Sequence, residues 1–203
     1  MIITIGREFG SGGRELGKRL AEALGIAYYD KEIVSEVANK TSLAYEYVQN
    51  IIEKRPIVYY PISIGHSFED YNSYIANQHY SVQSEQEKVI KELAEKSDCV
   101  IVGRCADFIL KDVKPFKIFV YANMEAKINR CKEKGEVDAS LNDRKISKQI
   151  KQIDRQRAEY YEFYTGLRWG EKENYDLMIN TTNQSIKEIA LGLAETIKQA
   201  NNK

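Results

Sequence analysis

The sequence predicts an α/β fold: a parallel sheet of five strands with helices on both faces. Three observations carry that prediction. Short apolar runs alternate with longer segments of helical period. The first such run, Met1–Ile5, passes directly into a turn with four glycines between Gly6 and Gly13. A segment with one apolar face, Arg14–Leu24, follows that turn at once. Strands separated by helices are joined by right-handed crossovers, which place helices on both sides of a parallel sheet.

Each element follows from its own pattern. MIITI is short and β-branched, as a buried strand should be. In RELGKRLAEAL, Leu16, Leu20, Ala23 and Leu24 fall at i, i+4, i+7 and i+8, and Gly25 is placed to cap the helix. Ile26–Tyr29 reads as a second strand ending at Asp30, and 31–53 as helix, broken near Thr41–Ser42. The stretch 54–80, with Pro56, Pro61, Gly65 and many tyrosines, reads as a mobile or substrate-covering lobe. Ser84 and Glu87 have capping-box spacing, so a helix is expected over Ser84–Lys96. Cys99–Val102 and Phe116–Tyr121 are strands, Met124–Lys134 is a helix, and Gly135–Asp143 is a loop. A long basic helix over Ile146–Tyr164, a strand over Asp176–Asn180 and a helix over Ser185–Ala200 complete the chain. In such sheets ligands lie beyond the carboxyl ends of the strands. Gly6–Gly13, Asp30, Gly103–Arg104, Ala122–Asn123 and Thr181–Thr182 are therefore expected to converge.

Composition narrows the function. A chain of 203 residues, 43% hydrophobic, suits one domain with a real core. Thirty Lys+Arg balance thirty Asp+Glu, which disfavours binding nucleic acid over a broad surface. Met1–Ile5 is too short for a signal-peptide core, and no apolar run approaches the ~20 residues of a membrane span. Cys99, Cys105 and Cys131 show no CxxC spacing, and His66 and His79 stand thirteen apart, so no zinc or disulfide framework is expected. The expected location is cytoplasmic.

The turn Gly6-Arg7-Glu8-Phe9-Gly10-Ser11-Gly12-Gly13-Arg14 has the physics of a phosphate cradle. Glycines let backbone amides approach an anion, and the helix start adds partial positive charge. The turn departs from the P-loop pattern GxxxxGK[ST]. Gly13 stands where the lysine would be, Arg14 and Glu15 stand where hydroxyl residues would be, and the loop from Gly6 is one residue longer. The candidate phosphate site is Gly6, Gly10, Ser11, Gly12, Gly13 and Arg14, with Arg14 as a candidate replacement cation.

Five blocks now stand in order: GREFGSGGRELGKRLAEALG, YYDKEI, VIVGRCADFIL, IDRQRAEYYEFYTGLRWG and YDLMINTT. Together they resemble the cytidylate kinase-like family of P-loop kinases over nearly the whole chain. The resemblance implies one domain over 1–203 with an acceptor-binding lobe at 31–97 and a helical lid at 130–165. It implies ATP and Mg²⁺, with donor phosphates on Gly10–Arg14. Asp30 would help place the monophosphate, and Arg104 would bind the acceptor phosphate. Cytidylate kinases follow that arginine with aspartate; here Cys105 stands there. In the lid, Lys151 takes the place of an arginine, and Asp154 with Arg157 resembles a second acid–base pair. Arg14, Arg155 and Arg157 are the expected catalytic cations, and Asp30, Arg104 and Asp154 the acceptor-side residues, with no protein metal ligands. By helical spacing, Lys151, Asp154 and Arg155 are neighbours and Arg157 lies on another face.

Several alternatives remain open on the sequence. The basic helix reads equally as a solvated charged face. Tyr160, Tyr161, Tyr164 and Trp169 either stack a base or pack the lid against the core. The whole chain is either an ATP-dependent nucleoside-monophosphate kinase, a kinase of another small molecule, or a degenerate P-loop protein that senses nucleotide or anion without catalysis. The expected partners are small nucleotides, and oligomeric state is not specified.

Overall fold

The computed structural model describes residues 1–52, 69–138 and 140–201. Five parallel strands form one sheet in the order β2-β3-β1-β4-β5. They are β1 (Ile2–Arg7), β2 (Ala27–Tyr29), β3 (Cys99–Val102), β4 (Phe116–Tyr121) and β5 (Leu177–Asn180). β1 lies in the middle, pairing Ile2–Ile5 with Cys99–Val102 on one side and Ile3–Arg7 with Phe116–Val120 on the other.

The two faces of the sheet are covered by different helices, as the strand period requires. On one face Ile3, Ile5, Val100, Val102, Ile118 and Val120 pack against α1 (Gly13–Leu24) and α8 (Ile186–Asn201). On the other, Cys99 and Ile101 pack against α2 (Lys31–Thr41), α3 (Tyr45–Ile51), α4 (Glu69–Lys96) and the short α5 (Ala106–Ile109). α6 (Met124–Glu133) and α7 (Asp143–Thr165) pair through Ile128, Cys131, Ile146 and Ile150 beside the glycine turn. Asn123 and Asn142 cap these two helices, each side chain accepting an N–H three residues on.

Most predicted boundaries agree within a residue or two. α7 begins three residues before the expected Ile146, the short α5 was not expected, and the helix expected from Ser84 departs most. α4 begins at Glu69, so Ser84 is an interior residue and caps nothing. Ser and Glu at i, i+3 fit any helix, and they cap only where the preceding chain is non-helical. Here Val82 and Gln83 are buried, so tertiary packing carries the helix upstream of Ser84. In the stretch 54–80, Pro56, Tyr59, Tyr60, Pro61 and Gly65 lie outside the described residues. Among the described residues, no helix is long and apolar enough to cross a membrane.

Ile101 is fully buried in β3, whereas Leu191 on α8 is 45% exposed. Ile101→Ala should therefore lower unfolding stability by about 2–5 kcal/mol in urea titrations. Leu191→Ala should stay within about 0.5 kcal/mol of the parent.

Candidate active site

The carboxyl ends of β1 and β2 line a cleft of about 570 Å³, and those of β4 and β5 are hydrogen-bonded to the turn after β1 through Ala122 and Thr181. The polarity of the turn follows from where its carbonyls go. The Glu8 carbonyl accepts the Ser11 hydroxyl at 2.8 Å. The Gly10 carbonyl accepts Arg130 Nη1 at 2.7 Å, and the Ser11 carbonyl accepts the Thr181 hydroxyl at 2.7 Å. Arg130 Nη2 also reaches the Thr181 carbonyl at 3.3 Å, tying the ends of β1, α6 and β5 together. With these carbonyls drawn outward, the amides of Gly10, Gly12, Gly13 and Arg14 take no protein acceptor among the described residues. They stand at the start of α1, where no helical carbonyl precedes them. Positive φ at Gly10 (72°) and Gly12 (83°) gives the turn its curl.

Three other turn groups are braced by protein. The Glu8 amide donates to the Val120 carbonyl at 3.0 Å, and the Phe9 amide to Asp154 Oδ1 at 2.6 Å. Behind them, buried Lys127 joins Glu8 Oε2 at 3.1 Å to Asp154 Oδ2 at 2.6 Å. This ion triad fixes α6 and α7 to the turn.

Guanidinium groups line the same cleft as these amides. Arg14, half exposed, pairs through Nε with buried Asp30 at 2.6 Å. Arg157 donates to the Arg7 carbonyl at 3.3 Å and lies over the Phe9 ring at 5.6 Å. Arg7 runs between the start of α1 and the end of β3. A Cβ at Gly13 would overlap the Cβ of Arg7, and one at Gly103 would overlap its Nη1. Gly13 thus leaves space for the side chain of residue 7, and Gly103, at φ 76°, leaves space for the guanidinium in this conformation. Burial, then the charge of Arg157, with Arg104 and Arg14 adding, pushes the Arg7 guanidinium down to about 9; Asp30 acts in the opposite sense. Arg7 remains a cation at neutral pH.

Arg7 and Arg157 also border a second, small cavity of about 50 Å³, with Arg104, Asp107, Tyr160, Tyr161, Trp169 and Tyr175. Gly103, Arg104 and Cys105 have successive φ values of 76°, 61° and 53°. Left-handed backbone at two non-glycine residues in a row is strained, and such strain gathers at functional sites. Arg104 is buried, and its Nη1 donates to the Ile52 carbonyl at 3.4 Å. Asp107 accepts the Tyr161 hydroxyl at 2.6 Å, and burial raises its pKa despite that bond. Burial likewise pushes the Cys105 thiol well up.

The structure brings Gly10, Gly12, Gly13, Arg14, Asp30 and Arg157 to the larger cleft, and Gly6, Arg104 and Arg157 to the smaller one. Ser11 is fully buried beneath the turn. Asp154 is spent on Lys127 and the Phe9 amide and borders neither cavity. Arg155 is not brought in: its side chain is 80% exposed and pairs with Glu159 at 2.7 Å. The expected facing of α7 is thus reversed. Asp154 and Arg157 share the turn-facing side, 4.0 Å apart, and Arg155 faces solvent. The aromatic cluster packs: Tyr160 and Tyr161 are buried against Cys105, and Trp169 meets Phe119 edge-on at 5.2 Å. Arg7, Glu8 and Lys127 were not singled out from the sequence. A signal existed for Lys127, which stands in the stripe Met124, Lys127, Ile128, Cys131 at i, i+3, i+4 and i+7.

The sheet order and the turn define a P-loop-type α/β fold of the kind found in small-molecule kinases. The solved structure of an uncharacterized protein from Eubacterium ventriosum is 27% identical, with a TM-score of 0.69, and the match covers 98% of each chain. The shikimate kinase of Bacteroides thetaiotaomicron shares the fold at 14% identity and a TM-score of 0.57, covering 98% of each chain. A model of the cytidylate kinase-like family matches residues 2–183, and the chain belongs to that family. Two cytidylate kinases are similar to it at 24% identity. That of Methanopyrus kandleri aligns over 93% of this chain and 88% of its own length, and that of Thermoplasma acidophilum over 100% and 95%.

Two outcomes follow from this geometry. Lys127→Met would leave the carboxylates of Glu8 and Asp154 facing each other without their cation, and should lower stability by about 3 kcal/mol in urea titrations. Asp107 titrates above its ordinary 3.8 in the folded chain. The folded state then holds more protons than the unfolded one from that value up to the raised one, and this group's contribution to stability falls as pH rises through the window. Asp107→Asn keeps an acceptor for Tyr161 and removes the fall. Its urea midpoint should pull ahead of the parent's as pH is raised from about 4 to 8.

Proposed function

We propose that the protein transfers a phosphoryl group from ATP to a nucleoside monophosphate, with cytidylate as the first acceptor to test. The observation that carries this reading is the polarity of the turn. Its carbonyls at Glu8, Gly10 and Ser11 are tied back, its amides at Gly10 and Gly12–Arg14 take no acceptor among the described residues, and Arg7, Arg14, Arg130 and Arg157 line the same cleft. Phosphoryl transfer requires mainly positioning and neutralisation of charge on phosphate oxygens, which such an array supplies.

In this reading the donor triphosphate lies on the turn. Asp30 holds Arg14 in place, and Asp154 holds the turn rather than the acceptor. Arg104 takes the acceptor phosphate in the smaller cavity. The lobe at 31–97 then carries sugar and base, and the lid at 130–165 brings Arg157 over the transferred group and excludes water. Arg155 has no part in this.

Magnesium fits as an ion that arrives with the nucleotide. Among the described residues no cluster of three acidic, histidine or cysteine side chains could cage it. Glu32 and Glu136 line the cleft, and Glu15 there is paired with Arg19 and Lys134. Magnesium is commonly held by phosphates with one or two carboxylates; Glu32 and Glu136 would be the residues to help hold it, and it would supply neutralisation of phosphate charge.

Gly13 at the lysine position favours a second reading, a non-catalytic sensor of nucleotide. Incubation with MgATP and a panel of monophosphates and other small phosphate acceptors separates the two. Turnover is expected with at least one monophosphate. Arg157→Ala should lower kcat by about 10²-fold or more while ATP affinity changes little. ATP binding without turnover on any acceptor would favour the sensor.

A further inference from the structure

Arg7 is a largely covered cation whose guanidinium has no hydrogen-bond acceptor among the described residues. Its side chain is 12% exposed, and its closest carboxylate oxygen among the described residues is Asp30 Oδ1 at 3.9 Å, beyond hydrogen-bond reach. That oxygen is itself buried and has no hydrogen-bond partner among the described residues. Arg157, Arg104 and Arg14 all stand close enough to disfavour the charge of Arg7. A guanidinium carries five N–H donors, and burying them unpaired among like charges is unfavourable. Asp30 offsets only part of this, and the guanidinium is not sealed into the packing. Instead, glycines at 13 and 103 leave the gap through which Arg7 passes, and the guanidinium borders both the larger and the smaller cavity.

A phosphate group would supply what is missing. Guanidinium–phosphate contacts are directional and often bidentate, and they gain strength where water is excluded. The location fits as well. Gly13 stands where the P-loop pattern has lysine, and the space beside it is filled from the flank by the arginine of β1. On this backbone a side chain at 13 would overlap the Cβ of residue 7, so a lysine does not fit there beside Arg7.

We propose that Arg7 is the phosphate-binding cation of this site in place of the P-loop lysine, and that it contacts the phosphoryl group passing between the larger and the smaller cavity. The second half rests on the kinase reading above; the first half, polyphosphate binding through Arg7, does not.

The test uses the full chain with inorganic tripolyphosphate, with and without magnesium. It reads thermal unfolding and calorimetric affinity for the parent, Arg7→Gln and Arg7→Lys. Arg168→Gln, an exposed arginine outside both cavities, serves as the charge control. Without ligand, Arg7→Gln should unfold at the same temperature as the parent or higher, because a repelled charge has been removed. Its tripolyphosphate affinity should fall about tenfold or more, with a smaller loss for Arg7→Lys and none for the control. A drop in the ligand-free unfolding temperature with unchanged tripolyphosphate affinity would make Arg7 a structural residue and overturn the proposal. If the parent phosphorylates no acceptor while its tripolyphosphate binding still depends on Arg7, the kinase reading fails and the assignment of Arg7 as the lysine's replacement stands.

Discussion

Four arginines held close to one another around the buried carboxylate of Asp30 form the electrostatic imbalance around which this site is organised. Arg7, Arg14, Arg104 and Arg157 repel, and Asp30 offsets only part of that repulsion. A folded chain tolerates such an arrangement only when the surrounding structure imposes it. Here the imposing features are backbone: β1 delivers Arg7 from the centre of the sheet, and Gly13 and Gly103 leave room for its side chain. The site is thus preorganised for negative charge before any ligand arrives, which is the condition for strong electrostatic stabilisation of a transferring phosphoryl group.

The second constraint is mechanical. The glycine turn curls through left-handed backbone and would be loose on its own. The Glu8–Lys127–Asp154 triad and the Arg130 clamp hold it from two sides. Both clamps originate in α6 and α7, so movement of these helices would be felt directly at the phosphate cradle. Arg157, on the same face of α7 as Asp154, would move with them. That links the expected lid to the turn through defined contacts.

Much of the fold was legible, because parallel strands buried on both faces leave dense apolar runs and amphipathic helices leave a clear stripe. The glycine turn was legible for the same local reason. The start of α4 was not, since Ser84 and Glu87 carry a capping signature that the packing of Val82 overrides. The facing of α7 was recoverable: Ile146, Ile150, Asp154, Arg157 and Tyr161 recur at steps of three and four, which places Arg157 on the packed side and Arg155 off it. Arg7 was hidden in plain view within the motif. Its role depends on two glycines far apart in sequence meeting across the sheet, and no spacing rule connects Gly13 with Gly103.

The most direct measurement is a crystal structure of the chain with magnesium and a non-hydrolysable ATP analogue. The account predicts a phosphate of the nucleotide within hydrogen-bond distance of the Gly12–Arg14 amides, with the Arg7 guanidinium against its oxygens. A triphosphate bound elsewhere, with those amides and Arg7 turned to protein acceptors instead, would contradict it.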